Sequence, residues 1–217
     1  PDGKLSELIT EDFADYFGWQ YLQDKVSLFT MTPRSFAAGK TAESGSTAAN
    51  SGKYDLVIMG PPGGSAGGAA GVHALAASYD HTVEAIHNYL QLLRPGGMLS
   101  ITQWTSNPAR GNLKLFITAV SAMKQAGIDR PENHIAWIRS WNTATLVLKQ
   151  RPLSRDEIDR VQAFCDSRSF DLAWLPGMKP EQANRYQLLQ EPVFYLVADA
   201  TFNDSGHSDE NGASFED

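Results

Sequence analysis

The sequence has a single cysteine, and it lacks both a long apolar run and a cluster of basic residues. Cys165 cannot form an internal disulfide, which favours a reducing compartment, and we predict a cytoplasmic location. No stretch approaches the roughly 20 apolar residues that cross a bilayer, so no membrane segment is predicted. The net charge of -7 makes the surface repel phosphate backbones, which argues against nucleic acid as a partner.

The composition that is present favours one globular domain. A chain of 217 residues that is 42% hydrophobic can bury one good core. We place this domain at residues 1–202, with a flexible insertion at 39–52, where glycine, serine and other small residues offer little to bury. Residues 203–217 are acidic and rich in glycine and serine, and they are predicted to form a disordered tail.

The first half of the chain alternates helical and strand patterns. Apolar residues recur at helical spacing over 5–17, and residues 25–31 alternate like a strand. Tyr54–Met59 is a nearly continuous apolar run, which is typical of a central strand buried on both faces. A helix predicted over Tyr79–Leu93 ends at Arg-Pro-Gly-Gly, and the strand Met98–Thr102 follows. Strand, helix and strand form a crossover unit, which predicts an α/β fold with a mostly parallel sheet.

The second half of the chain predicts a helix over Leu113–Ala126 and then two strands, His134–Trp141 and Thr143–Lys149. Because so few residues separate these strands, they should form a C-terminal antiparallel hairpin at the sheet edge. Ser154 and Glu157 have capping-box spacing, so another helix should begin there. A short strand is predicted near 170–174.

Ligands of α/β proteins bind beyond the carboxyl ends of parallel strands, and two loops of this chain fall there. One follows Met31, and the other is the glycine-rich segment 60–71 after Met59. Without large side chains, the second loop would let a ligand approach its backbone, although plain flexibility is an equal alternative.

A cluster of polar and aromatic residues begins the helix after this loop. We predict substrate contact by Tyr79, His81, Thr82 and Glu84, with Asp80 beside them. The alternative is structural, because acids in a first turn complement the helix dipole.

Histidines, tryptophans and the cysteine could bind a ligand or could have structural roles. His81, Glu84 and His87 are spaced by three and diverge around a helix, so no metal site is predicted. Trp104 follows the second strand of the crossover unit and is assigned to the substrate side, with core packing as its alternative. Trp137 and Trp141 are predicted to be core residues, and Cys165 a small buried hydrophobe.

Several segments together resemble one family. The run KYDLVIM, a loop, and then GVHALAASYDHTVEAIHNYLQLLRPGGMLSITQW are similar to the fourth strand, helix and fifth strand of spermidine synthase-like transferases. LKLFITAV and WNTATLVLKQRPLSRDEIDRVQAFCDSRSFDLAWLPG continue the similarity, which covers most of residues 20–190.

This resemblance implies a Rossmann-like class I methyltransferase sandwich that binds S-adenosylmethionine or decarboxylated S-adenosylmethionine, with a small-molecule acceptor. It implies cofactor-binding positions at Thr32, Arg34, Gly60 and Pro61. The first strands of such a sheet, with their glycine-rich loop and ribose-binding acid, are expected before Pro1, so the chain alone is predicted to be inactive. Many such proteins are large and membrane-tethered, so an alternative location is the soluble domain of a membrane protein. A sheet edge left open would allow a homodimer.

Two departures count against spermidine synthesis itself. Thr32 stands where the family usually has an aspartate, and Gly60 stands where true polyamine synthases have an aspartate that helps to remove a proton. Catalytic residues therefore stay unassigned. The alternatives are a non-catalytic ligand-sensing or interaction domain, and an amino-group methyltransferase, whose Asn-Pro-Pro-Tyr loop is echoed by Gly-Pro-Pro-Gly.

Overall fold

The computed structural model describes residues 11, 25–27, 29, 31–43, 54–61 and 79–203. Helices and strands alternate through these ranges. In chain order they are α1 (Pro33–Glu43), β1 (Tyr54–Met59), α2 (Val83–Leu92), β2 (Leu93–Trp104), α3 (Arg110–Gln125), β3 (Ile135–Arg139), β4 (Thr143–Lys149), α4 (Arg155–Arg168), β5 (Asp171–Trp174) and α5 (Val193–Asn203). Two short 3₁₀ helices, Pro131–Asn133 and Pro180–Gln182, lie between them. No helix in the described part of the chain combines the length and the apolar character needed to cross a membrane.

The five strands form one mixed sheet in the order β1-β2-β4-β3-β5. β1 and β2 are parallel and are joined through α2, so the predicted α/β class and crossover unit are confirmed. The remaining three pairings are antiparallel. The prediction of a mostly parallel sheet is therefore wrong for the described strands, because one parallel unit is followed by strands that turn back through short connections.

β1 has the predicted bounds but not the predicted burial. It is the outermost strand of the described sheet, and Leu56 and Ile58 are 45% and 68% exposed. Val57 and Met59 alternate with them and pack against the main core. Only one face of β1 is therefore covered among the described residues, because helices pack on the face of Val57 and Met59 alone.

The β3–β4 hairpin is confirmed, but its predicted position at the sheet edge is wrong. β4 pairs with β2 along seven residues, from Met98 opposite Lys149 to Trp104 opposite Thr143. β3 pairs with β5 on its other side. The hairpin lies inside the sheet because the short strand predicted near 170–174 extends the sheet beyond it.

The two tryptophans of the hairpin region have opposite environments. Trp137 is buried as predicted and stacks on Phe116, with ring centroids 4.5 Å apart. Trp141 is 82% exposed, so its predicted core role is wrong. The physical reason is its position in the turn between β3 and β4, where no layer packs over the side chain.

β2 begins earlier than predicted, directly at the end of α2, and takes in the Arg-Pro-Gly-Gly segment. Gly96 has a φ of 91°, a conformation that favours glycine. A Cβ at Gly97 would lie 2.9 Å from the carbonyl oxygen of Tyr54. Glycine at this position is what lets β1 and β2 come together at the start of their parallel ladder.

Hydrophobic side chains pack on both faces of the sheet. The main core lies under α2, α3 and α5 and contains Leu99, Leu146 and Trp137. Ala136, next to Trp137 on β3, points to the opposite face, where it joins a smaller cluster with Cys165 of α4. Cys165 is only 1% exposed, which confirms the prediction of a buried residue, and this burial raises the pKa of its thiol to about 12.

The segments at 25–31 and 39–52 differ from their predicted structure. The described residues of 25–31 belong to no strand, and none of them pairs with β1, the outermost strand of the described sheet. The predicted start of the insertion at residue 39 is too early, since α1 continues through Glu43. Ala37 of α1 is buried in the main core.

α4 begins with the predicted capping box, and α5 was not predicted. The segments 5–17 and 203–217 lie outside the described residues, apart from Glu11 and from Asn203, which ends α5.

Candidate functional site

A group of polar residues meets where the parallel strands β1 and β2 end, and we call Arg34, Tyr79, His81 and Gln103 the carboxyl-end site. Arg34 lies in the first turn of α1, which packs along α2. Its Nη1 lies 3.5 Å from the carbonyl oxygen of Tyr79, just before α2. The amide nitrogen of Gln103, near the end of β2, lies 3.2 Å from Nδ1 of His81. These contacts join three elements that are distant in sequence.

The predicted residues after β1 lie at the same end of the sheet. Met59, the last residue of β1, pairs with Ile101, two residues before Gln103. Gly60 and Pro61 follow directly, and a Cβ at Gly60 would meet no atom of the described residues within 4 Å. The cofactor-binding role that the resemblance implies for Gly60 and Pro61 stays a prediction.

Threonine hydroxyls at this end of the sheet cap the two helices. Oγ1 of Thr32 accepts from the backbone N–H of Ser35, 3.2 Å away, at the start of α1. Oγ1 of Thr82 accepts from the backbone N–H of Ala85, also 3.2 Å away, at the start of α2. These bonds satisfy amides that a helix leaves unpaired in its first turn. Both predicted ligand contacts thus have a structural role in helix capping.

Glu84 likewise has a structural role at the start of α2 in addition to its predicted ligand contact. Hydrogen bonds from its own backbone amide and from Thr82 lower the pKa of the Glu84 carboxyl, and the charge of Arg34 lowers it further. The carboxylate is therefore ionised at neutral pH, and it also complements the N-terminal dipole of α2. It remains exposed and available to a cationic ligand.

Two exposed aromatic residues lie at this end of the sheet. Tyr79 is 64% exposed, and Trp104, the last residue of β2, is 43% exposed. Trp104 pairs with Thr143 across the β2–β4 ladder. Trp104 therefore lies at this end of the sheet, but as the residue after Gln103 in β2 it points to the opposite face.

Sequence reasoning missed two residues near this site, Gln103 and Tyr89. Gln103 lies one residue past the predicted end of the second strand, and continuing that strand pattern would have found it. Tyr89 is almost fully buried on α2, and its hydroxyl has no hydrogen-bond partner in the described part of the chain. Burial raises the pKa of this hydroxyl, and the charge of Asp80 raises it further. The spacing of Tyr89 along the predicted helix indicates only a core position, so the sequence gives no signal of a site residue.

A second polar cluster, Arg139 and Asp171, lies on the same face of the sheet, two and three strands away from Gln103. Gln103 pairs with Ala144, which pairs with Arg139, which pairs with Asp171. Asp171 Oδ2 accepts from Arg139 Nη2 at 2.6 Å, and both side chains are buried. Burial lowers the pKa of the Arg139 guanidinium, and Asp171 offsets part of this effect.

Asp171 also organises the loop before α5. Its Oδ1 accepts the backbone N–H groups of Arg185 and Tyr186 at 2.6 and 2.8 Å, and its Oδ2 accepts that of Gln187 at 2.8 Å. Arg139 Nη2 in turn lies 3.1 Å from Oδ1 of Asn184. Since the carboxylate is fully engaged with partners in the protein, we assign this cluster a structural role.

The described residues contain no group of three or more histidine, cysteine or acidic side chains that could hold a metal ion. The described residues at this end of the sheet instead offer the cation of Arg34, neutral hydrogen-bonding groups and the ionised carboxylate of Glu84. These residues suit a polar organic ligand that carries both charge and hydrogen-bonding groups.

No protein-family model matches the chain, and no curated protein matches it significantly.

Proposed function

We propose that the chain belongs to a transferase domain that binds S-adenosylmethionine or its decarboxylated form and passes a methyl or aminopropyl group to a small acceptor. The observation that carries the proposal is a pair of contacts at the carboxyl ends of a parallel β1-α2-β2 unit, Arg34 with the carbonyl of Tyr79 and Gln103 with His81. Ligands of open α/β sheets bind at this position. A Rossmann-like class I methyltransferase architecture is part of the proposal, and the parallel unit followed by an antiparallel hairpin supports it.

Within this proposal, the chain binds and orients the reactants. The bound sulfonium donor supplies an activated carbon, so the residues of the site contribute mainly by holding the acceptor close to it. Glu84 is ionised and Tyr79 is an exposed aromatic residue four positions before α2's Val83, so these two side chains suit a cationic acceptor such as an amine.

A second candidate is a non-catalytic ligand-binding domain, favoured by the lack of a carboxylate at the end of β1. Asp55 lies at the start of that strand, where it pairs with Arg94, and Gly60 has no side chain at the other end. Thr32 engages its hydroxyl in capping α1. A domain of this kind would bind the donor without transferring a group from it.

The test measures binding and transfer with the full-length gene product that carries this chain. Isothermal titration with S-adenosylmethionine and with its decarboxylated form gives affinities, and labelled donors report methyl and aminopropyl transfer. Binding with methyl transfer alone would select the amino-group methyltransferase alternative. Binding without any transfer would select the non-catalytic domain. Failure of both donors to bind would refute the proposal.

Two matched arginine variants localise the binding. Arg34→Met removes the cation of the carboxyl-end site, so the affinity for a donor held by charge-assisted hydrogen bonds should fall on the order of tenfold or more. Arg94→Met removes an exposed arginine at the other end of β1, and the affinity should stay unchanged. Equal effects of the two variants would place the ligand elsewhere.

A further inference from the structure

Three apolar side chains form an exposed patch on the second face of the sheet, and we call Leu56, Ile58 and Met98 the outer patch. They are 45%, 68% and 38% exposed. Leu56 pairs with Met98 across the β1–β2 ladder, and Ile58 lies two residues further along β1 on the same face. Single exposed apolar residues are ordinary, whereas adjacent ones indicate a surface that another element covers.

The same face of the sheet is covered by a helix a few strands away. Ile58 pairs with Ser100, which pairs with Val147 of β4, and Val147 packs against the smaller cluster under α4. Three strand spacings, about 14 Å, separate β1 from β3, where Ala136 joins that cluster. Since a helix is about 10 Å across, the face beside α4 has the width of one further helix over β1 and β2.

Residues 5–17 lie outside the described residues except for Glu11, and their sequence has the pattern of a helix with one apolar side. The apolar residues at helical spacing are Leu5, Leu8, Ile9, Phe13, Tyr16 and Phe17. Three of the four acidic residues fall on the other side of such a helix, and Glu11, one of these three, is exposed and lies in a helical turn. An apolar stripe of this kind packs against another apolar surface in a folded protein.

The segment 5–17 has the length and the reach to cover the outer patch. A helix of these 13 residues is about 20 Å long, and the six residues of β1 also extend over about 20 Å. Residues 18–31 connect the segment to Thr32 at the start of α1, and they can span up to about 45 Å. Because α1 begins beside the carboxyl end of β1, this connection allows the segment to lie anywhere along the strand.

We propose that residues 5–17 form an amphipathic helix that packs on the outer patch, with Phe13 and its apolar neighbours against Ile58 and with Glu11 toward solvent. This helix covers the second face of β1. The strand is then buried on both faces, as is typical of a continuous apolar run that pairs in parallel. The net charge of -7 opposes the approach of a second copy of the chain to the same surface. The packing is independent of any ligand and of the proposed function.

The first measurement is disulfide formation between introduced cysteines in the full-length gene product, mapped by peptide mass spectrometry after mild oxidation. Ile9→Cys, Phe13→Cys and Phe17→Cys are each combined with Ile58→Cys, because the position of the helix along the strand decides which of them lies opposite. At least one pair should form an intrachain disulfide, which requires Cα atoms within roughly 4.4–6.8 Å of each other. Thermal unfolding of each variant checks that the fold is kept.

Two matched controls use the same chemistry. Glu11→Cys lies on the polar side of the segment and should form no disulfide with Ile58→Cys. Ile117→Cys replaces an exposed apolar residue of α3, on the other face of the sheet, and should form no disulfide with Phe13→Cys. Disulfides between two chains, seen as dimers on a non-reducing gel, would instead assign the outer patch to a second copy and overturn the packing of residues 5–17.

The second measurement is the rate at which single introduced cysteines are alkylated in the native protein. Ile58→Cys should react more slowly than Ile117→Cys, on the order of tenfold or more, although the described residues leave Ile58 68% exposed and Ile117 47% exposed. Adding Phe13→Asp should release the helix, so the rate at Ile58→Cys should rise while the rate at Ile117→Cys stays the same. Fast alkylation of Ile58→Cys without any intrachain disulfide would overturn the proposed packing. Slow alkylation that Phe13→Asp does not speed up would show that another element covers the outer patch, which would overturn the assignment of residues 5–17.

Discussion

Replacing Asp171 by asparagine should destabilise the protein by about 3 kcal/mol, although the two side chains have nearly the same shape. Asp171 is buried and accepts four hydrogen bonds, three of them from consecutive backbone amides and one from Arg139. An asparagine can keep its carbonyl oxygen toward Arg185 and Tyr186. Its NH₂ group then faces Arg139 and the amide of Gln187, which are donors.

The magnitude follows from what Arg139 loses. Breaking a buried ion pair by removing one partner typically costs about 3–5 kcal/mol, because the remaining charge is left uncompensated. Arg139 keeps the side-chain oxygen of Asn184 and the carbonyl of Gln187 as partners, so we expect the lower end of this range. For a chain of this size, about 3 kcal/mol corresponds to a fall in Tm of roughly 6–12 °C.

Urea denaturation followed by circular dichroism measures the free energy of unfolding of this variant. Asp166→Asn is the matched control, because Asp166 is about half exposed and accepts from Arg185 and Tyr186 at the surface. It should cost less than about 1 kcal/mol. A loss below about 1 kcal/mol for Asp171→Asn would refute the view that this carboxylate anchors the loop, as would equal losses for the two variants.

Three further predictions concern particular residues. Gly97→Ala should destabilise the protein by about 1–3 kcal/mol in chemical denaturation, since the added Cβ would meet backbone oxygens. The control Gly111→Ala, in α3, should be neutral or stabilising, because no described atom lies within 4 Å of the added Cβ. Equal effects of the two substitutions would contradict the close approach of β1 and β2. The Lys149 hydrogen bond is the main cause of the lowered pKa of Glu157, so the carboxylate stabilises the fold above its ordinary pKa of 4.5 and loses this effect as the pH falls through the lower folded value. The destabilisation caused by Glu157→Gln should therefore be present at pH 7 and shrink below about pH 4.5, and a pH-independent loss would disprove the linkage. The Cys165 thiol, with a pKa raised to about 12, should resist alkylation at pH 8 until the protein unfolds, and rapid labelling of the native protein would contradict its burial.

Local patterns predicted most of the elements in the described part of the chain. The run Tyr54–Met59, the strand Thr143–Lys149 and the capping box at Ser154 are all found where the sequence places them. These signals depend on neighbouring residues, namely apolar runs, β-branched composition and a spacing of three. α5 was missed although Pro192, a residue type typical of helix starts, directly precedes it.

Pairing and burial were harder to predict, because they depend on which strands meet. Ile58 is an apolar residue in an apolar run, which is the same sequence signal that a buried residue gives. It is exposed in the structure, because the described layers cover only the other face of β1. Trp141 is similar, since a turn position outweighs its apolar character. Among site residues, the sequence named His81 but could not name Gln103, because their contact joins residues 22 positions apart through the tertiary fold.

The strand order also suggests the sequence of events by which the sheet assembles. Only three residues separate β3 from β4, so this hairpin can close within about 1–10 μs, before pairings that require longer loops. β4 then presents its free edge to β2, and β1, which pairs only with β2 in the described sheet, joins afterwards. Under this scheme, truncating Leu146 should mainly slow refolding, whereas truncating Val57 should mainly speed unfolding. The strand that leads into Gly60 and Pro61 would thus be a late addition to a hairpin-centred nucleus.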